Sequence, residues 1–217
     1  VLLWLGFVAL LVGVAWFLDK KLPGPGAVFL KAVKNHEKKL ICLLCVLVGI
    51  SLVGMIYKEI FILDLLNFAG IVAFLLAWSG KVPGLTKEKG LRALTVLTGV
   101  ALVLLAFSEK FLRPDMAMEF LAQYDFNFMK SLGFEIFSDQ LFVLSVGMME
   151  MTFGLILILG LIPRINILVL AFFFLSTNIY LFLNGYVDDG LTELIGHLPV
   201  IATVVMVTAF GSGRVRD

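Results

Sequence analysis

Apolar residues along the chain form seven long blocks, separated by shorter polar segments. A helix rises 1.5 Å per residue, so about 20 apolar residues cross the roughly 30 Å hydrocarbon core of a bilayer. Helices suit that environment because they satisfy their own backbone hydrogen bonds. The pattern predicts an all-α, polytopic transmembrane helical bundle with about seven helices, at roughly 1–18, 40–57, 60–79, 91–108, 141–161, 165–184 and 193–211.

Breaker residues and connector lengths support this division. Gly80 to Gly84 and Gly160 to Pro163 are predicted to end the third and fifth helices. Only residues 58–59 separate the second and third helices, and only 162–164 separate the fifth and sixth. We therefore expect both pairs to be tight antiparallel hairpins.

Basic residues are concentrated in alternate connectors. The segments 19–40, 80–92, 162–164 and 212–217 hold all of the 17 Lys and Arg residues except Lys58, Lys110, Arg113 and Lys130. Cytoplasmic loops carry this excess of Lys and Arg, so we predict that the basic connectors are cytoplasmic. The first residue is then outside and the C-terminus inside.

Composition agrees with a membrane location. The 217 residues are 61% hydrophobic and 15% charged, whereas soluble domains are about 45–50% apolar and about 25% charged. The formal net charge is +1, and the basic residues lie in short loops, so we expect a lipid bilayer as partner and no nucleic acid. The run from Val1 lacks a basic leader and a small-residue cleavage site, so we interpret it as a span. Because it begins without Met, we expect further residues before it.

Two connectors are longer than simple turns. Segment 19–39 combines two prolines with a Lys-rich end, which predicts a basic cytoplasmic connector near anionic headgroups. Segment 113–140 mixes acidic residues with many aromatic ones. That mixture predicts an external segment that either lies in the membrane interface or caps the bundle; a docking role for a partner is a further alternative.

Glu150 is the first candidate for chemistry. It lies about 14 Å into the fifth predicted helix at helical rise, close to the bilayer midplane. An ionisable residue there is costly and is therefore a functional candidate by default. Gly147 and Gly154 share its helix face, so we expect another helix to approach closely there. The alternative is a protonated Glu150 that only holds helices together.

Glu193 and His197 form a second candidate at the predicted start of the seventh helix. Their i, i+4 spacing lets the side chains meet on one face, and a carboxylate can set the tautomer of an imidazole in a proton relay. Glu109, Lys110 and Asn178 also belong to the external halves of their helices. We predict that these residues form one polar cluster open to the outside, with Glu150 deepest; the alternative is a simple helix-end pair.

Other reactive residues are less informative. Cys42 and Cys45 have the spacing of a dithiol pair, but they lie at the reducing cytoplasmic end and without an activating neighbour, which favours buried lipid-phase cysteines. Asp64 is expected to reach the headgroups or to pair with Lys58. His197 and His36 are far apart in the predicted topology, so we predict no metal site and no haem ligation by two histidines.

Residues from about 91 to 214 resemble the DoxX-like family of four-helix membrane proteins. The resemblance rests on Phe107-Ser-Glu-Lys-Phe111 with Pro114 after it, on Gly147-Met-Met-Glu150 followed by Gly154, Gly160 and Pro163-Arg164, and on Gly211-Ser-Gly-Arg214. It implies a four-helix domain at 91–217 with the external loop 113–140, preceded at 1–90 by a membrane region of three additional helices. It also implies a small membrane subunit associated with a redox system.

Three functions follow as hypotheses. The first is an integral membrane subunit of a quinone-linked redox system in the prokaryotic inner membrane, which binds a quinone or a small polar substrate in the outward-facing cluster. In this hypothesis Glu150, Glu193 and His197 handle protons, Glu109, Lys110 and Asn178 bind substrate, and other subunits or a second copy of the chain are partners. The second is a proton-coupled small-molecule transporter. The third is a structural or assembly subunit without chemistry.

Overall fold

The computed structural model describes residues 62–211, with side chains from residue 65 onward. The described residues form helices joined by turns and short loops, with no strand among them. A six-residue π-helical segment, Phe107–Leu112, continues the helix Lys87–Ala106 without a break. The structure confirms the predicted all-α class. The helices are α1 (Ile62–Ser79), α2 (Lys87–Ala106), α3 (Asp115–Tyr124), α4 (Phe128–Ser131), α5 (Asp139–Leu159), α6 (Pro163–Leu183) and α7 (Val187–Phe210).

Four of these helices are long and apolar enough to cross a membrane. They are α2 with its π-helical continuation, α5, α6 and α7. Large apolar side chains such as Phe172 and Leu183 are 68% and 82% exposed on their surface, as expected for residues that face lipid. The chain is therefore an integral membrane protein. The predicted spans 1–18 and 40–57, with Cys42 and Cys45, lie outside the described residues, as does the side chain of Asp64.

Two helices begin well before the residue predicted for their start. The α2 helix begins at Lys87 because the Thr86 hydroxyl accepts a hydrogen bond from the Lys89 amide at 3.2 Å, which caps the helix N-terminus. The α7 helix begins at Val187, not at residue 193. Its first turn carries two aspartates, which the positive end of the helix dipole favours. Glu193 thus lies inside α7 and not at its entry.

One hydrophobic core joins α1 to the four long helices. Ile71 and Phe74 of α1 pack in the same cluster as Leu94 of α2, Leu157 of α5 and Met206 of α7. All five side chains are buried. The division of the chain at residue 90 stays a prediction, but residues 62–79 share their core with the bundle that follows.

The external segment predicted at 113–140 lies over one end of the bundle. Tyr180 of α6 donates a hydrogen bond from its hydroxyl to the Tyr124 carbonyl at 2.8 Å. The ring of Phe126 lies 4.8 Å from that of Tyr180, and the ring of Phe128 lies 5.2 Å from that of Phe142. Of the predicted alternatives, these contacts favour a cap on the bundle, and we call this the cap end.

The opposite end, which we call the basic end, contains the turns after α1 and α5 and the end of α7. Arg92 donates from Nη2 to the Ile158 carbonyl at 2.6 Å, and the Arg164 guanidinium lies against Gly211. Both arginines thus neutralise helix C-termini, where the dipole is negative. The cytoplasmic location of this end, and of the C-terminus, stays a prediction.

Candidate functional site

Asn178 and His197 meet between α6 and α7. The Asn178 amide nitrogen Nδ2 donates to the Phe174 carbonyl at 2.8 Å and lies 3.2 Å from His197 Nδ1. The bond to a carbonyl identifies this amide atom as the nitrogen, so its second hydrogen points to an accepting Nδ1. Neutral His197 therefore carries its proton on Nε2. This pairing of two predicted site residues fixes the tautomer of the imidazole.

Two polar atoms of this pair can still form hydrogen bonds with a ligand. His197 Nε2 lies 3.9 Å from Glu193 Oε2, which is too long for a hydrogen bond. The Asn178 side chain is 2% exposed, and its Oδ1 is buried with no hydrogen-bond partner. The ring of Phe174 lies 4.7 Å from that of His197. We call Asn178, Glu193 and His197 the outer triad: His197 presents an N–H donor at Nε2, and Asn178 Oδ1 is an acceptor without a hydrogen-bond partner among the described residues.

A cleft of about 230 Å³ opens between α3 and the first two turns of α7. Glu193 belongs to its lining and so links the cleft to the outer triad. Tyr124 lies in the wall, where burial of the hydroxyl and a hydrogen bond to Asp189 raise the pKa of Tyr124. The cleft is lined by Met116, Glu119, Phe120, Gln123, Tyr124, Asp189, Thr192 and Glu193.

Glu109, Lys110 and Glu150 form a second group between α2 and α5. Lys110 Nζ lies 3.1 Å from Glu109 Oε2, and the two side chains are 18% and 26% exposed. A Cβ at Gly147 would lie 2.7 Å from Lys110 Cβ, so the absence of a side chain lets Lys110 pass over α5. One turn along, Glu150 Oε2 is buried with no hydrogen-bond partner. The charges of Lys110 and Glu109 act on it.

The predicted site residues therefore lie in two groups. Asn178 lies with Glu193 and His197, whereas Glu150 lies with Glu109 and Lys110. The π-helical segment contributes both residues of the ion pair in the second group, and such segments occur frequently at functional sites. The assignment of catalytic and substrate-binding roles to these six residues stays a prediction.

Sequence reasoning missed a third polar group, inside the bundle. The hydroxyls of Thr98 and Thr203 lie 2.7 and 3.1 Å from Asn67 Oδ1, and all three residues are buried. Asn67 Nδ2 has no partner among the described residues. These side chains come from α1, α2 and α7. The sequence does contain a signal for this group, because Asn67 is the single Asn in the apolar run of α1. A polar side chain there needs a hydrogen-bond partner on another helix.

Residues 65–211 contain no group of three or more His, Cys, Asp or Glu side chains that could hold a metal ion. Comparison of the chain with known protein families, curated proteins and solved structures finds no match.

Proposed function

We propose that this integral membrane protein is a subunit of a redox system and that it binds a quinone headgroup at the outer triad. The observation that carries the proposal is the hydrogen bond from Asn178 to His197. Because Asn178 occupies Nδ1, the imidazole presents its N–H at Nε2. A quinone carbonyl is an acceptor that suits this donor.

The surroundings of His197 support a ligand with a flat apolar ring. Phe174 lies against the imidazole at 4.7 Å between ring centroids, and binding sites for such ligands combine aromatic walls with a few placed polar groups. The buried Asn178 Oδ1 can accept a hydrogen bond from a hydroxyl, so the reduced quinol has a partner as well.

Glu193 supports proton exchange at the same place. Its carboxylate lies one helical turn from His197, is 40% exposed and lines the cleft at the cap end. A proton can pass between His197 and Glu193 once a water or ligand bridges the 3.9 Å gap. A quinone supplies two-electron chemistry when bound, and the electrons would come from a partner protein. The redox part of the proposal also rests on the resemblance to the DoxX-like family.

The second group favours a different function, proton-coupled transport. The unpartnered Glu150 oxygen lies within the bundle, next to the Lys110 and Glu109 ion pair. Intramembrane carboxylates of this kind mark proton relays in transporters. Flux in proteoliposomes that is lost in Glu150→Gln and retained in His197→Ala would favour transport.

Quinone binding to the purified full chain tests the first proposal. We expect a short-chain quinone to bind by isothermal titration calorimetry, and His197→Ala and Asn178→Leu each to weaken the Kd at least tenfold. His36→Ala is the matched control, since it removes the other histidine of the chain. Absence of quinone binding, or equal binding by the Asn178→Leu and wild-type proteins, contradicts the proposal. Loss of binding only in proportion to loss of folded protein supports a purely structural subunit.

A further inference from the structure

We infer that the cleft between α3 and α7 is a separate binding site for a small organic cation of the ammonium class. It goes beyond the proposed quinone site, since its lining includes neither Asn178 nor His197. Glu193 is shared between the two.

The charges that line the cleft have one sign. Glu119 comes from α3, and Asp189 and Glu193 come from α7, at positions four residues apart on one helix face. Among the described lining residues none carries a positive side chain. A cleft lined by one sign of charge focuses the electrostatic potential, which raises the local concentration of the opposite charge. The cleft therefore attracts cations and repels anionic substrates.

Aromatic rings distinguish an organic cation from a simple metal ion. Phe120 and Tyr124 line the cleft, with ring centroids 4.7 Å apart and planes inclined by 54°. A cation within about 6 Å of an aromatic face is attracted by the ring quadrupole, and this is how quaternary ammonium ligands are recognised. Met116 adds an apolar, polarisable surface. Carboxylates and ring faces together suit an ammonium group with methyl or methylene substituents.

The aromatic wall is held in place by contacts with one neighbouring residue of the lining and with two tyrosines outside it. Gln123 donates from Nε2 to the Tyr124 hydroxyl at 2.8 Å, and Tyr180 of α6 donates to the Tyr124 carbonyl at 2.8 Å. The ring of Tyr186 packs edge-on against Tyr124 at 4.9 Å. A wall fixed before binding reduces the entropy lost on association. The open volume of about 230 Å³ suits a small ligand.

Hydrogen-bonding capacity in the cleft also favours a donor ligand. The side chains of Glu119 and Asp189 are acceptors when ionised, and the Thr192 hydroxyl both donates and accepts. An ammonium N–H or a neighbouring hydroxyl on the ligand finds acceptors here, whereas a phosphate or carboxylate would meet like charge.

Choline and its uncharged carbon analogue dimethylbutanol test the inference directly, because they differ in charge and hardly in shape. We expect calorimetry on the purified full chain to detect choline binding at least tenfold tighter than that of dimethylbutanol. Raising the ionic strength should weaken it, since exposed charges are screened. No choline binding, or equal binding of the two compounds, overturns the inference.

Variants locate the site. Glu119→Gln and Asp189→Asn should each weaken the Kd of choline about five- to tenfold, and Phe120→Leu about threefold or more. Glu135→Gln and Phe134→Leu are the matched controls, since both residues are exposed on the same segment and outside the cleft. Asn178→Leu should leave the Kd of choline within twofold of the wild-type value while it weakens quinone binding. Failure of the quinone proposal can then be distinguished from failure of this inference. Unchanged choline binding in both carboxylate variants overturns the inference.

Discussion

Gly99 of α2 and Gly154 of α5 face each other where these two helices cross. A Cβ on Gly154 would lie 2.7 Å from the Gly99 carbonyl oxygen, and one on Gly99 would lie 2.6 Å from the Gly154 oxygen. Small residues let membrane helices approach to backbone contact. This contact confirms the prediction that another helix approaches closely to the glycine face of the fifth span.

Gly154→Ala should therefore destabilise the bundle. The added methyl would meet backbone atoms that cannot move without separating the helices, and such overpacking costs about 1–3 kcal/mol. We expect a lower thermal unfolding temperature in detergent. Gly196→Ala is the matched control, because a Cβ at that helical position meets nothing within 4 Å; alanine there should be neutral or stabilising. Equal effects of the two substitutions would contradict this account.

The buried Asn67 group is expected to contribute to the packing of α1 against α2. Thr98→Val keeps the shape of the side chain and removes the hydroxyl that lies 2.7 Å from Asn67 Oδ1. Hydrogen bonds between membrane helices are worth about 0.6–2 kcal/mol, so the free energy of unfolding should fall by that amount. Thr152→Val serves as control, because its hydroxyl donates only within α5, to the Met148 carbonyl. A larger loss in the control would refute the interhelical role.

The tautomer of His197 can be measured directly. In selectively ¹⁵N-labelled protein at neutral pH, Nδ1 of His197 should give the signal of an unprotonated nitrogen that accepts a hydrogen bond, and Nε2 that of a protonated one. Asn178→Leu removes the donor, so the two tautomers should then mix. Assignment uses His36→Ala, which leaves one histidine. A protonated Nδ1 in the wild type would exclude the proposed orientation of the imidazole.

Tyr124 should report the electrostatics of the cleft. Burial and the neighbouring Asp189 raise the pKa of Tyr124 above its ordinary value of about 10. Asp189→Asn removes a negative charge, so the pKa should fall towards that value in an absorbance titration, with Tyr124→Phe to identify the signal.

The same pKa shift predicts a change of stability with pH. Because the folded state holds this proton more tightly than the unfolded state, the contribution to stability is complete below about pH 10 and is lost as the pH rises through the folded-state pKa. Thermal unfolding measured across this range should show a smaller alkaline loss for Tyr124→Phe than for the wild type. An equal loss in both proteins would assign the effect to another group.

Substitutions of Glu150 and of Lys110 by apolar residues should change the unfolding temperature in opposite directions. Glu150→Leu removes a carboxyl group whose Oε2 is buried and unpartnered, so the unfolding temperature should rise by roughly 2–4 °C, about 1 kcal/mol. Lys110→Met leaves Glu109 and Glu150 without their shared cation and should lower it. A gain of stability together with a loss of transport or binding would identify Glu150 as a functional group. A lower unfolding temperature in Glu150→Leu would instead indicate a structural one.

The sequence alone determined the class of structure and most of the helices. A run of apolar residues long enough to cross a bilayer can satisfy its backbone hydrogen bonds there only as a helix. The described helices α1, α5 and α6 accordingly lie at the predicted spans 60–79, 141–161 and 165–184, and the bounds of α5 and α6 differ from the prediction by a residue or two. Ionisable and polar residues within such runs stand out against an apolar background. For that reason the sequence alone identifies Glu150, Asn178 and His197 as candidate functional residues.

Only the tertiary structure decided which of these residues meet. Spacing along one helix links Glu193 to His197, but whether α6 brings Asn178 or α2 brings Lys110 to a given place depends on how the helices pack. That packing is governed by local close approaches, such as the one between Gly99 and Gly154, and by a cap that joins Tyr124 to Tyr180. Apolar surfaces pack in many registers with similar energy, because lipid solvates them as well as another helix does. The residues expected to form a single polar cluster therefore lie in two groups, and the cleft at the cap end exists because α3 lies beside α7.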